Sequence, residues 1–497
     1  MSSLMLSVPV SLAVLLASHF YVRLCKSVNL FLSSDVLSPH HTHAPLSENS
    51  RPDKNSAMES QPLNDSGREF DVIVYGATGF TGRLVAEYFC EHYVTENGEF
   101  LVRFALAGRS MKKLEESRQT ACTRARREAY TEKIPLIAAD SSDEASLAEM
   151  CRRAKVIITT VGPYLKYGEP LVKACVDSRT HYCDLVGEAP FVALTSQKYG
   201  RLAAERGVKV VHCCGFDSVP SDLSCLLLQD AALKAANAPC ESVSTAVTEL
   251  HGGFSGGTVA SLLNLAGSKD TFDPYYLCKQ ALPECVSFTP SSKAYSPVRF
   301  MTHDKDFGYG AFFIMAPLNE QVVRWSNALM GFKYGKDFVY RELMSVNKGG
   351  FFSALTTSML VYVGMLCIKF SPIRSLLFAL RLLPQPGEGP SQKVLDSGFF
   401  EMRAVGRTQS KSGQNFRVSV TVGSKLGDPG YRETAKMIAE TGLCMALNMD
   451  KCTKLCGVGS PSASVGSVLK DRLEKKGFYF EVDTHEEEVE NNDGRDM

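Results

Sequence analysis

The sequence FDVIVYGATGFTGR, residues Phe70 to Arg83, is the stretch from which the fold of this chain is predicted. Its first six residues have the length and β-branched content of a buried strand, and a helical pattern begins after them. Gly76, Gly79 and Gly82 lie between the two at three-residue spacing. Glycine lets a pyrophosphate approach the backbone, and the helix N-terminus offers N–H groups to the anion. The stretch therefore predicts a strand, a phosphate-binding turn and a helix.

A second strand completes the unit. Residues 80–93 carry apolar side chains at helical spacing, and residues 101–107 have the pattern of a strand that runs into Arg109 and Ser110. In dinucleotide-binding folds an acidic residue at this position suits NAD, whereas an arginine beside a small hydroxylated residue suits the 2′-phosphate of NADP. The sequence predicts NADP as the cofactor. NAD is the alternative if Arg109 only faces solvent at the end of its strand.

Six strand patterns alternate with helical patterns between residues 70 and 214. This alternation predicts an α/β fold with a doubly wound parallel Rossmann sheet, which we place at residues 69–238. Ligands bind such sheets beyond the carboxyl ends of the strands. The predicted cofactor contacts are Gly76, Thr78, Gly79, Phe80, Thr81, Gly82, Arg109, Ser110, Asp140, Val161, Gly162 and Pro163.

Three residues at the same edge are candidates for the catalytic proton donor. Tyr164 follows the fourth predicted strand, Asp184 lies in the fifth and Asp217 follows the sixth. Each also has a structural interpretation, because a loop tyrosine can simply be packed and a carboxylate can cap a helix. Both interpretations stay open at this stage.

The composition of the chain limits the kinds of partner that it is expected to bind. Lysine and arginine total 54, as do aspartate and glutamate, so no net charge favours nucleic acid. The cysteines are scattered without any C-x-x-C pair, which favours reduced, buried thiols. No metal site is predicted. The expected partner is a small-molecule substrate.

The alternation stops after residue 238. Strand patterns at 242–250, 399–407 and 416–423 predict a second, α+β domain over residues 239–482. The glycine-rich stretch 255–258 is predicted to begin a helix. Residues 483–497 are acidic and polar, which predicts a disordered tail.

One insertion, residues 351–384, is unusually apolar. No charge occurs from Phe351 to Ile368, and a second apolar helix follows Pro372 with Arg374 and Arg381 on one face. We predict that the pair inserts into one leaflet of a lipid monolayer or membrane, which keeps both sides of the chain together. The alternatives are a helix pair packed in the core or in a homodimer, and a true membrane span.

The first 68 residues allow two main interpretations. Residues 4–22 are apolar and long enough to cross a bilayer, and Arg23 and Lys26 follow them. The segment is either an N-terminal membrane anchor or a dispensable extension ahead of a polar linker. A cleaved signal is the third interpretation, although its basic residues should precede the apolar run.

Several motifs occur in register along the chain: GATGFTGR at 76–83, AGRS at 107–110, TTVGPY at 159–164, YCDLVGE at 182–188 and GFDSVPSD at 215–222. In this order they resemble the saccharopine dehydrogenase-like oxidoreductases and, more distantly, the bacterial trans-acting enoyl reductases. The resemblance covers residues 69–482. It implies a nicotinamide-dependent oxidoreductase, with associations to lipid droplets and glycolipid synthesis.

Together these features favour an NADP-dependent oxidoreductase that acts on an apolar or lipid-linked carbonyl or enoyl group. We expect it on a lipid droplet or membrane surface that faces the cytosol. One alternative is a nucleotide-binding scaffold with little catalytic activity. Saccharopine chemistry is the other, but its tricarboxylate substrate should need converging cationic residues, and the sequence shows no such cluster.

Overall fold

The computed structural model describes residues 67–253, 272–284, 286–291, 299–346, 350–384 and 388–487. All of them belong to one compact unit, residues 60–497. The predicted N-terminal anchor, the glycine-rich stretch 255–258 and the end of the predicted tail lie outside the described residues.

The first sheet is built from strands that are buried on both faces, as continuous apolar sequences such as FDVIVY predict. Its first six strands are β1 (Phe70–Tyr75), β2 (Phe104–Gly108), β3 (Leu136–Ala138), β4 (Ala154–Thr159), β5 (His181–Cys183) and β6 (Lys209–Val211). All of them pair in parallel. Their carboxyl ends therefore meet at one edge of the sheet.

Helices connect these strands in regular alternation. They are α1 (Phe80–Tyr93), α2 (Met111–Arg124), α3 (Glu144–Arg152), α4 (Tyr164–Tyr167), α5 (Glu169–Asp177), α6 (Ala189–Glu205) and α7 (Val219–Ala236). A short 3₁₀ helix, Glu128–Lys133, precedes β3. This arrangement confirms the predicted doubly wound Rossmann fold.

A second sheet follows. Its first strands are β7 (Ser242–His251), β8 (Met301–Asp304), β9 (Gly308–Ala311), β10 (Val339–Ser345), β11 (Phe399–Gln409) and β12 (Asn415–Ser424). The helices of this region are α8 (Tyr276–Gln280), α9 (Ala316–Leu329), α10 (Gly350–Lys369), α11 (Ser371–Ala379) and α12 (Gln392–Ser397). Strands β7 and β10 pair in parallel and the other neighbours are antiparallel, which is the predicted α+β character.

The C-terminal residues contribute to both sheets. After a π-helical turn at Pro429–Glu433 come α13 (Thr434–Leu447), β13 (Gly457–Gly459), α14 (Pro461–Ser464), α15 (Ser467–Glu474) and β14 (Phe478–Glu487). Strand β13 joins the first sheet beside β6, and β14 joins the second beside β12. The sheet orders are β13-β6-β5-β4-β1-β2-β3 and β14-β12-β11-β7-β10-β9-β8.

Two sequence predictions need correction at this C-terminal segment. The first sheet has a seventh strand, and α13 packs against β1, β4 and β5, so residues predicted for the second domain return to the first sheet. The packing is close, because a β-carbon at Gly442 would lie 2.6 Å from Cδ1 of Ile158. The predicted tail was also wrong at residues 483–487, which extend β14. Arg407 anchors that end through an Nε to Glu487 Oε2 contact of 2.9 Å.

The predicted apolar insertion forms the helix pair α10 and α11. Helix α10 packs along β8 and β9 through a narrow stripe: Ala354 and Ser358 are buried, and the Ser358 hydroxyl accepts a 2.9 Å hydrogen bond from the Phe312 amide. Over an 18-residue window of α10 the mean hydropathy reaches 1.8, yet only 11% of that window is buried. Phe352 and Leu360 are 72% and 74% exposed. The pair is therefore not a core element of this unit.

Candidate active site

The glycine turn after β1 has the geometry that its sequence predicts. Gly76 has a φ of +88°, which side chains disfavour, and its carbonyl accepts a 2.9 Å hydrogen bond from the Gly79 amide. A β-carbon at Gly82 would lie 2.1 Å from that same carbonyl oxygen, so this position must be glycine. At Gly79 the nearest atom would be 3.4 Å away, which is an ordinary contact. The protein would therefore tolerate a side chain at Gly79, and the space that glycine leaves open there belongs to the cavity.

A cavity of about 370 Å³ opens at the carboxyl ends of β1, β2 and β4. Its floor is the glycine turn, and helix α1 begins there without any side chain capping its amides. Uncapped amides and a glycine at Gly79 form a cradle that fits a pyrophosphate. The lining residues are Tyr75, Gly76, Thr78, Gly79, Gly108, Arg109, Asp140, Ser141, Ser142, Thr160, Val161, Gly162 and Tyr167.

Most of the predicted cofactor contacts therefore come together, but five serve other purposes. Gly82 packs on the Gly76 carbonyl, and Thr81 lies half-buried in the first turn of α1. Phe80 turns away to pack edge-on against Tyr431, with ring centroids 5.2 Å apart. Ser110 caps α2, and Pro163 precedes α4 after a cis Gly162–Pro163 bond.

The adenosine side of the cavity carries a cation. Arg109 is exposed and lines the cavity. Hydrogen bonds from the backbone and hydroxyl of Ser142, and then the charge of Arg109, lower the pKa of Asp140. An ionised Asp140 suits the polar edge of an adenosine, and Arg109 lies where a 2′-phosphate is expected.

A second, polar groove of about 650 Å³ lies between α1 and α2. Thr78 lines both this groove and the cofactor cavity. Arg83 and Lys113 contribute exposed cations to the groove, and the carboxylates of Glu87 and Glu116 line it as well. Sequence reasoning missed both cations. Arg83 ends the GATGFTGR motif and Lys113 lies in the first turn of α2, but neither the glycine spacing nor a strand end marks them as cofactor contacts.

Tyr164, the first predicted proton donor, is packed rather than presented. It is only 6% exposed, its hydroxyl donates to the Thr159 carbonyl at 3.3 Å, and the same oxygen accepts from the Leu185 amide at 3.2 Å. Burial, followed by the nearby charge of Asp184, raises the pKa of Tyr164 well above its usual value. The structure therefore favours the packed-loop interpretation of Tyr164.

Asp184, the second candidate, is fully buried beneath the carboxyl ends of β5 and β6. One carboxylate oxygen lies 2.7 Å from Nδ1 of His212 and accepts from the Tyr182 hydroxyl at 2.9 Å. The other accepts from the amides of Val186 at 3.1 Å and Cys213 at 3.3 Å. With four partners Asp184 has a structural role: it holds two strand-end loops together.

Asp217, the third candidate, lies in the loop between β6 and α7, where it is exposed. The protein around it desolvates its carboxyl and raises its pKa to about 6. Its exposed surface lets water offset part of that effect. Among the lining residues of the described cavities Asp217 is absent, so the structure does not bring it together with the cofactor residues.

Tyr167 is a residue that the sequence analysis did not single out. It ends α4, is 38% exposed and lines the cofactor cavity beside Gly162 and Val161. Nζ of Lys166 lies 5.0 Å from the centre of its ring. Of the two tyrosines in α4, the one that lines the cavity is therefore Tyr167, three residues beyond the tyrosine that the motif suggested.

Comparison with known proteins identifies the kind of domain that carries this site. The family profile described as saccharopine dehydrogenase NADP binding domain matches residues 72–211, which carry the whole cofactor cavity. A Mycobacterium tuberculosis protein, provisionally named a trans-acting enoyl reductase, is 37% identical over 435 residues, or 84% of this chain and 98% of the relative. The trans-acting enoyl reductase of Mycobacterium ulcerans is 33% identical over 434 residues, or 84% of this chain and 98% of the relative.

The chain belongs to the trans-acting enoyl reductase family. As a member of this family with a saccharopine dehydrogenase-type NADP-binding domain, it is an oxidoreductase whose cofactor is NADP. The predicted resemblance, enzyme class and cofactor are thereby confirmed. Among solved structures it is similar to Saccharomyces cerevisiae saccharopine dehydrogenase, with a TM-score of 0.47, 12% identity and coverage of 83% of this chain and 99% of that one.

Proposed function

We propose that this chain reduces the carbon–carbon double bond of a lipid-linked enoyl substrate at the surface of a membrane or lipid droplet. Relatives named trans-acting enoyl reductase match 84% of this chain, which supports the reaction type. The proposed action at a lipid surface rests on one observation: α10 is an exposed apolar helix on the same compact unit as the NADP cavity. An apolar substrate and an apolar protein face both favour a lipid surface.

The residues divide the binding work along the cavity. The glycine turn and the α1 amides would hold the pyrophosphate, Asp140 would face the adenosine, and Arg109, with Arg83 and Lys113 in the neighbouring groove, would attract the 2′-phosphate. Charge-assisted bonds from arginine to phosphate are among the stronger interactions that a protein surface offers. This end of the site therefore selects NADPH over NADH.

NADPH, when bound, supplies a hydride to the β-carbon of the enoyl group. The α-carbon then needs a proton, and we assign its transfer to Tyr167, which lines the cavity and is 38% exposed. Lys166, beside the ring, stabilises the phenolate that the transfer leaves. Solvent returns the proton to Tyr167, and the double bond has become a single bond.

Turnover by the purified full chain tests the proposal. Phosphatidylcholine vesicles would carry a long-chain trans-2-enoyl thioester, the matching saturated aldehyde or no substrate, and NADPH oxidation would be followed. We expect oxidation with the enoyl thioester and formation of the saturated acyl thioester. NADPH oxidation with the aldehyde but not with the enoyl thioester would show that the chain reduces a carbonyl group and not a carbon–carbon double bond. Tight NADPH binding without oxidation by either lipid would favour the nucleotide-binding scaffold.

A further inference from the structure

A separate cavity of about 210 Å³ lies where the first sheet, the second sheet and the apolar helix meet. Gly187 and Ala189 form one wall at the start of α6, and Met315 and Leu318 form another at the start of α9. Helix α10 closes the third side with Tyr362, Met365, Leu366 and Lys369. Most of this lining is apolar, so the cavity suits a hydrocarbon ligand.

One end of this cavity is tied to the nicotinamide side of the NADP site. Gly187 directly precedes Glu188, which is buried, and the Glu188 carboxylate accepts from the amides of Tyr164 at 3.2 Å and Leu165 at 3.1 Å. Those two residues follow Gly162 of the cofactor cavity. These hydrogen bonds therefore link the chain beside Gly187 of this cavity to the chain beside Gly162 of the cofactor cavity.

The opposite wall is continuous with the exposed apolar face of α10. Leu366 lines the cavity and is also 39% exposed, and the neighbouring Val363 and Phe370 are 47% and 57% exposed. Lys369 lies at the same end of the helix and is exposed. A cation beside apolar side chains suits the boundary between acyl chains and anionic headgroups.

We propose that this cavity binds the acyl chain of the substrate and that α10 lets the chain enter directly from the membrane. The inference rests on the proposed function and adds to it the location and the route of the lipid. The volume is below the ~300–1,000 Å³ of pockets that enclose a whole drug-sized ligand. The cavity therefore holds the segment of chain near the reactive group, and the remainder stays in the lipid.

A photolabelling experiment on the full chain tests this inference. The probe is phosphatidylcholine with a diazirine on one acyl chain, diluted in phosphatidylcholine vesicles, and labelled peptides are mapped by mass spectrometry. Two variants on α10 are matched: Met365→Trp fills the cavity, whereas Val363→Trp adds the same side chain to the exposed face. Vesicle co-sedimentation and NADPH affinity are measured for both as checks on membrane contact and folding.

We expect label on residues 312–318 in the wild type and in Val363→Trp. In Met365→Trp the labelling of these residues should fall about tenfold or more. All three proteins should sediment with vesicles and bind NADPH. Label confined to exposed residues such as Leu360, or an undiminished signal in Met365→Trp, would overturn the acyl site. If the label behaves as expected but no enoyl thioester is reduced, the proposed reaction fails and the acyl site stands.

Discussion

The carboxylate of Asp184 lies 2.7 Å from Nδ1 of His212, with both side chains fully buried. Nε2 of the same imidazole lies 2.9 Å from the hydroxyl of Thr195 on α6. The chain of contacts links the ends of β5 and β6 to the helix between them. It fixes the loop that carries Glu188 and, through it, the turn beside Gly162.

Replacing Asp184 should therefore reduce stability before it affects chemistry. Asp184→Ala leaves the Tyr182 hydroxyl, two amides and His212 without their buried acceptor, and we expect the free energy of unfolding to fall on the order of 3 kcal/mol. Urea unfolding measures this. The control is exposed Asp177→Ala, which should cost ~1 kcal/mol or less. A fully stable Asp184→Ala protein without activity would instead indicate a catalytic role.

The glycines of the turn should separate binding from folding. Gly79→Ala adds a β-carbon that meets the protein at an ordinary 3.4 Å, so the fold should tolerate it while the pyrophosphate cannot approach. We expect NADPH affinity to fall about tenfold or more without a change in melting temperature. Gly82→Ala, with its 2.1 Å contact, should lower the melting temperature itself. Calorimetry that finds wild-type NADPH affinity in Gly79→Ala would contradict the cradle.

Arg109 should determine the choice between NADPH and NADH. Arg109→Met removes the cation at the adenosine end, and we expect about tenfold to a hundredfold weaker NADPH binding with NADH nearly unchanged. The matched control is Lys112→Met on the exposed first turn of α2, outside the described cavities. Equal losses for both nucleotides in Arg109→Met would show that the residue supports the fold rather than the 2′-phosphate.

Tyr167 is predicted to donate the proton. Tyr167→Phe keeps the ring in the cavity and removes the hydroxyl, so kcat with the enoyl thioester should fall about 10²- to 10³-fold while NADPH affinity stays near the wild-type value. The control is Tyr130→Phe, which removes a hydroxyl bonded to the Glu96 carbonyl; Tyr130 is not among the residues that line the cavity. An unchanged kcat in Tyr167→Phe would remove this residue from the mechanism.

Stability should fall as the pH rises through a defined window. Burial raises the pKa of Glu342 to about 8, and its Oε1 accepts a 2.8 Å bond from Ser221. In the unfolded chain the pKa of this carboxyl is the ordinary glutamate value of 4.5. Between about pH 5 and pH 8 the folded state therefore holds one proton more than the unfolded state and loses stability as the pH rises.

Glu342→Gln replaces the carboxyl that binds this proton with a neutral amide, which can still form a hydrogen bond with Ser221. Its unfolding free energy should exceed that of the wild type at about pH 8 by on the order of 1–3 kcal/mol and differ little at about pH 5. Urea unfolding at both pH values measures the difference. Exposed Glu241→Gln should follow the wild-type curve. Parallel curves for Glu342→Gln and the wild type would contradict the buried, protonated state.

The parts of the fold that the sequence predicts are those with local patterns. Strand β1 is a continuous apolar stretch, the turn after it has glycines at three-residue spacing, and β11 and β12 have apolar residues at the spacing of strands. Each of these signals lies within a few residues of sequence. Strand β13 has only three residues, two of them glycine, and it pairs with β6 across more than 240 positions of sequence. Nothing local distinguishes it from a loop.

The site shows the same division. Gly76, Arg109 and Val161 could be placed because they end strands whose carboxyl edges must meet. The buried contacts of Asp184 could not be predicted, because its partner His212 lies 28 residues away and no motif links the two. The lining role of Tyr167 could not be predicted, because the turn of α4 decides that Tyr164 is buried and that Tyr167 lines the cavity.

Isotope transfer tests the central claim most directly. The full chain would be mixed with NADPH that carries deuterium at the reactive nicotinamide carbon and with a long-chain trans-2-enoyl thioester in phosphatidylcholine vesicles. The structure and the family predict a saturated acyl thioester with deuterium on its β-carbon and a solvent-derived proton on its α-carbon. Recovery of the unsaturated thioester with bound, unoxidised NADPH would contradict the assignment of this chain as an enoyl reductase.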